Sequence, residues 1–98
     1  MYKQMYEHED LENLSEELVF EEVHRRLESG SDDIPHDTIS LQDIVAITLN
    51  NVPPKYVTSF VEKLNPREQQ LKELDLIRAK IKVELDKAVA VVKNRPHN

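Results

Sequence analysis

Apolar residues recur in this chain at three- and four-residue steps almost from end to end, and no stretch alternates at period two. That spacing gathers them on one face of an α-helix, whereas a half-buried strand needs alternation between turn signals. The chain therefore reads as helices, with its Pro residues and its single Gly as punctuation. With 98 residues it is one domain with a thin core. No internal repeat or low-complexity tract interrupts it.

The first helix is expected over about Leu11 to Ser29. Leu11, Leu14, Leu18, Val19, Val23 and Leu27 form its stripe, and Gly30 stops it. Its Glu residues sit early and Arg25 and Arg26 late, which suits the helix dipole. A polar linker follows from Ser31 to Ile39. Ser40 is expected to cap a second helix, about Leu41 to Asn51, which is apolar around most of its circumference and so should be the buried central one. After Val52-Pro53-Pro54 a third helix is expected, with Pro54 in its first turn and Val57, Phe60, Val61 and Leu64 facing the core. Asn65 should cap the fourth helix, Pro66 to Lys93.

Leu74, Ile77, Ile81, Leu85, Ala88 and Val92 span 18 residues of that last helix in five steps, a mean of 3.6. This is the period of a straight helix rather than of a supercoil. At 1.5 Å per residue the helix is roughly 42 Å long, more than the ~30 Å width of a small domain. Part of its stripe is then left without a partner inside one chain. Leu71, Leu76, Val89 and Val91 lie off the stripe as a second contact face, so a symmetric homodimer is expected.

Composition excludes several functions. The formal charge is −6, which disfavours non-specific nucleic-acid binding, where phosphate neutralisation supplies most of the affinity. One Gly rules out a P-loop or a dinucleotide fingerprint, both of which need several. No Cys means no disulfide, thiolate nucleophile or thiolate metal site. The longest apolar run is far short of the ~20 residues of a membrane span, and residues 1–10 carry no secretory signal. The expectation is a cytoplasmic protein with a flexible N-terminus at 1–10 and no membrane or nucleic-acid partner. His8, His24, His36 and His97 are scattered, and His36 with Asp32, Asp33 and Asp37 lacks the Gly of a calcium loop. The serines have no nucleophile-elbow glycines. No catalytic residue, metal site or cofactor is assigned.

The densest unusual stretch is Asp43 to Phe60, DIVAITLNNVPPKYVTSF. A diproline turn is rigid, because each ring holds φ. At a helix N-terminus it would aim Lys55 and Tyr56 in fixed directions beside free N–H groups that suit a phosphate. A small anionic ligand with rings is one reading. The other is a plain corner with Tyr56 in the core.

Asp43-Ile44, Ala46, Leu49-Asn50, Pro53-Pro54 and Tyr56-Val57-Thr58-Ser59 resemble, in order and spacing, the late competence protein ComFB family. Leu14, Glu17, Leu18, Val19 and Glu22 resemble its opening helix, and Ile81, Ala88-Val89, Val92 and Pro96 its closing one. The likeness covers residues 11–96 as a single domain and is strongest in the middle third. It implies an all-α fold, a compact bundle of four helices with a long C-terminal helix, in a homodimeric, non-enzymatic regulator. Some members of that family are receptors for cyclic dinucleotides such as cyclic di-GMP.

Carried onto this chain, that resemblance implies a ligand site of Asn50, Pro54, Lys55, Tyr56 and Thr58, with Arg67 or Arg25 as a second cation. The alternative is a dimeric protein-interaction module with a protein partner and no small ligand. Two departures stand out. Family members with a Cys cluster, consistent with zinc, have it where this chain has Pro35, Asp37 and Ser40. Many members also carry Arg or Lys where this chain has Asn51.

Overall fold

A computed structural model describes residues 2–6, 9–30, 33–64 and 66–95. The order is α1 (Tyr2–Tyr6), β1 (Glu12–Asn13), α2 (Leu14–Glu28), α3 (Thr38–Asn50), β2 (Tyr56–Val57), α4 (Ser59–Leu64) and α5 (Arg67–Lys93). The four expected helices are present as α2 to α5, and the fold is essentially all-α. The N-terminal segment adds α1, none of whose residues is buried.

The core is a three-helix sandwich of α2, α3 and α5. Leu18, Val19 and Val23 of α2 meet Ile44 and Val45 of α3 and Ile77, Ile81, Leu85, Ala88, Val89 and Val92 of α5. The α5 stripe is the one read from the 3.6 period, with Leu74 packed at its edge. Val89, expected on a second face, belongs to the core instead, because i and i+4 share a helix side with Leu85. Ile34, in the linker read as polar, is a further core residue at 2% exposure. The first turns of α5 overhang the core: Leu71 and Leu76 are exposed and the buried residues begin at Ile77.

Several local expectations are corrected. The cap of α3 is Asp37, whose carboxylate accepts the Ser40 N–H at 2.9 Å; Ser40 is buried inside the first turn. A carboxylate caps as well as a hydroxyl and adds charge at the positive end of the helix. Nor is α3 buried all round: Ile39 is 71% exposed and Ala46 is also outside. Gly30 does take the left-handed conformation, φ +72°, that ends α2.

The chain also contains a strand pair that no run of residues announces. Glu12 pairs with Val57 and Asn13 with Tyr56, antiparallel. Two residues per strand are too few for a period-two signal. As a result Pro54 does not start a helix. It sits in an extended strap, and α4 begins only at Ser59. Val57 is buried in β2, while Phe60 and Leu64, expected in the core, are exposed at 69% and 64%. Pro66 occupies the cap position of α5 with no side-chain cap bond; Asn65, expected as that cap, lies outside the described residues.

Two charged contacts tie the helices together. Arg26 of α2 reaches α5 at the Asp86 carboxylate, 2.6 Å, and the Lys82 carbonyl, 3.3 Å. Arg95, just past α5, pairs with Asp43 of α3 at 2.6 Å. Placing Leu85 at the centre of the core and Leu76 outside it predicts unequal costs. Leu85→Ala should lose about 2–5 kcal/mol and Leu76→Ala less than about 0.5 kcal/mol in urea unfolding; equal losses would contradict the packing.

Candidate functional site

The strap 52–58 is bound to the start of α2 by polar groups from both sides. Ser15 is fully buried, and its hydroxyl donates to the Pro53 carbonyl at 2.6 Å. The Asn13 side-chain oxygen accepts two N–H groups, that of Ser15 at 3.2 Å and that of Lys55 at 3.0 Å. The Leu14 N–H donates to the Lys55 carbonyl at 2.7 Å. Asn13 thus caps α2 and holds the strap with one atom. The diproline segment is rigid, as expected, but through these bonds as well as through its rings.

The predicted residues fall into three places. Asn50, Pro54, Lys55, Tyr56 and Thr58 follow one another along the end of α3 and the strap. Tyr56 is 62% exposed, which removes the reading of it as a core residue. Thr58 caps α4: its hydroxyl accepts the Val61 N–H at 3.2 Å. Arg67 opens α5 and is exposed. It lies six residues before Glu73, about 9 Å along the helix, and Glu73 is the residue that meets Lys55.

Arg25 stands apart. It is ten residues beyond Ser15 on α2, about 15 Å along the axis, and its guanidinium is engaged by Glu22 at 3.0 and 2.5 Å. Within one chain Arg25 is held by Glu22 toward the other end of α2, and the cation on the strap itself is Lys55.

Two features that sequence reasoning missed shape the site. The Lys55 ammonium, 20% exposed, is paired with the Glu73 carboxylate at 2.6 Å. The Asp10 carboxylate accepts the Ser59 N–H at 3.1 Å and the Ser59 hydroxyl at 2.7 Å, so the first turn of α4 already holds an anionic group. The Asn13 cap was legible, since Asn-Leu-Ser-Glu has an Asx residue three before an acid. Starting the helix at Leu11 hid it. The Glu73 and Asp10 partnerships bridge distant parts of the chain and left no local signal.

Away from the strap, an apolar groove of about 570 Å³ runs between α2 and α3. Phe20, Val23 and Leu27 form one wall and Thr38, Leu41 and Val45 the other. A second, polar hollow of about 530 Å³ lies between the end of α2 and the last turns of α5, with Arg25, Arg26 and Lys93 facing Asp33 and Asp86. Among the described residues no group of three or more His, Cys, Asp or Glu gathers to hold a metal. Among the described residues no helix is long and apolar enough to cross a membrane.

Glu22 is a strongly perturbed acid. Its hydrogen bond from Arg25, reinforced by Arg26, holds the carboxyl at about 2 against the opposing effect of burial. A depressed acid stabilises the fold above its unfolded value of 4.5, and that contribution disappears as pH falls toward 2. A shift of this size is worth on the order of 3 kcal/mol. Glu22→Gln should therefore be less stable than the parent at pH 7, and the gap should close between pH 4.5 and 2; a gap independent of pH in denaturant titrations would refute the assignment. Asn13→Ala should cost about 1–2 kcal/mol and loosen the strap, read as faster amide exchange at Lys55.

Neither the curated proteins nor the solved structures contain a match to this chain. A protein-family model does: the late competence development protein ComFB, over residues 12–96. That span takes in everything from β1 to the end of α5, including the strap. The chain belongs to the ComFB family, and membership points to a competence-related regulatory protein.

Proposed function

We propose that this protein is a non-enzymatic, dimeric regulator that binds a cyclic dinucleotide of the cyclic di-GMP type at the strap. The observation that carries the reading is the placement of Tyr56. Its ring is exposed on a segment fastened to the start of α2 by part-buried bonds at Pro53 and Lys55 just before it and by the Asn13–Tyr56 strand pair, so it is a stacking surface fixed in advance. Phe60, exposed as the second residue of α4, offers a second ring four residues on. Lys55 and Arg67 supply positive charge for the phosphates, and Asn50 and Thr58 polar groups for base edges.

The Lys55–Glu73 pair defines how such a ligand would act. A phosphate that takes Lys55 displaces the Glu73 carboxylate, which sits near the overhanging start of α5. Binding and the position of α5 are then linked, because the phosphate and the Glu73 carboxylate repel each other and compete for the same ammonium. A dimer joined through exposed apolar surface would pass that change to its partner chain.

A second reading, a dimeric protein-interaction module with no small ligand, is favoured by the apolar α2–α3 groove. Calorimetry and thermal shift with cyclic di-GMP and cyclic di-AMP separate the two. A micromolar site at ~100 μM ligand should raise stability by ~2–3 kcal/mol. Lys55→Ala and Tyr56→Ala should abolish that gain. Tyr56→Ala should itself cost less than about 1 kcal/mol, because an exposed ring leaves no cavity. No heat and no shift with either nucleotide would leave only the interaction module.

A further inference from the structure

Residues 10–14 lie along residues 55–59 in one antiparallel register. The Leu14 N–H meets the Lys55 carbonyl, Asn13 faces Tyr56, Glu12 faces Val57, and two residues further back Asp10 meets Ser59. Each step toward the N-terminus on one side is one step toward the C-terminus on the other. The last rung is of a different kind. It is made by a side chain: the Asp10 carboxylate accepts both the N–H and the hydroxyl of Ser59.

Ser59 is the first residue of α4, and α4 has little else to hold it. The helix is six residues long, far short of the ~12–15 at which isolated helices become even marginal. It buries no residue, and its main neighbour is β2 rather than the helical core. Two caps support its first turn. Thr58 supplies one from next door, through the Val61 N–H, and Asp10 supplies the other from 49 residues away. A carboxylate there also faces the positive end of the helix. The bonds between Asp10 and Ser59 are exposed, so water takes both Ser59 groups when the carboxylate leaves. The contact opens without uncovering apolar core, as locally opening segments do.

We infer that Asp10 is a latch: bound to Ser59 it holds α4 closed against the strap, and released it frees α4 while the strap stays in place. The bonds of Ser15 to Pro53 and of Asn13 to Lys55 come before Tyr56 and do not involve Asp10, so that ring keeps its position in either state. Phe60 does not, because it follows Ser59 directly on α4. The latch thus decides whether one ring or two stand ready at the strap. This consequence rests on the ligand reading above; the latch itself does not. Asp10 also lies before residue 12, where the family match begins, so family membership does not supply it.

Carbon chemical shifts of the full-length protein test the latch without any ligand, since they report helix population residue by residue. Asp10→Ala should lower the helical population of α4 by roughly half or more, as loss of a cap does in a marginal helix, and leave α2, α3 and α5 unchanged. Asp10→Asn, which keeps an acceptor oxygen, should restore part of it. Unchanged α4 shifts in Asp10→Ala overturn the latch. So does a loss spread equally over all helices, or an equal loss in Glu9→Ala on the same segment. Where the parent binds a cyclic dinucleotide, Asp10→Ala should weaken binding on the order of 10-fold, the size of one base–aromatic stack. Phe60→Ala should do the same, and the double variant should be no weaker than either. Full affinity in Asp10→Ala despite a loosened α4 overturns the link to Phe60. A parent that binds neither cyclic di-GMP nor cyclic di-AMP overturns the ligand reading, and the carbon shifts still decide the latch.

Discussion

The Ser15 side chain is wholly buried, and its hydroxyl has one protein partner, the carbonyl of Pro53. A buried hydroxyl left unpaired costs about 1–3 kcal/mol, so the bond is obligatory rather than decorative. It brings the diproline strap onto the first turn of α2. Asn13 then completes the junction by capping the helix and accepting the Lys55 N–H. From this junction follow the strand pair, the exposed direction of Tyr56 and the delayed start of α4. A chain with so thin a core fixes this strap with polar bonds because little apolar surface is available there.

Charge plays the corresponding part at the other end of α2. Glu22 sits among Arg25 and Arg26, and Arg26 goes on to Asp86 of α5. The Arg26 side chain is only 18% exposed, while Asp86 is 71% exposed, so the arginine is held in place but solvent and salt reach the bridge from the α5 side. It orients α2 against α5 where the apolar stripe of α2 runs out at the half-buried Leu27. Strap and bridge between them hold the two ends of α2, and the core stripe of α5 fills the space between.

Most helices were legible because a helix declares itself locally. The stripe from Leu74 to Val92 and the Gly30 stop depend on neighbours within a few residues, and both appear as read. The misreadings are of two kinds. Ser40 and Val89 were misplaced against neighbours three and four residues away, Asp37 and Leu85. Pro54 and Phe60 follow a strap whose contacts are distant in sequence. Asp37 outcompeted Ser40 for the cap, although both were in view. Pro54 was drawn into a strap by Ser15, 38 residues before its neighbour Pro53. At the candidate site the strap residues could be named from the sequence, while the Glu73 and Asp10 carboxylates that meet Lys55 and Ser59 left no local signal.

What the sequence by itself determined is the class of fold, the long last helix with its core face, the family and the absence of Gly-loop and thiolate chemistry. These rest on residue type and short-range spacing. The tertiary structure alone decided which polar groups are partnered. It turned Lys55 from an available cation into one half of an ion pair, and Tyr56 from a core candidate into an exposed ring. It also left the outer side of α3 and the face of α1 uncovered. Hydrogen bonds and ion pairs join residues by distance in space, and a one-dimensional pattern carries no record of that distance.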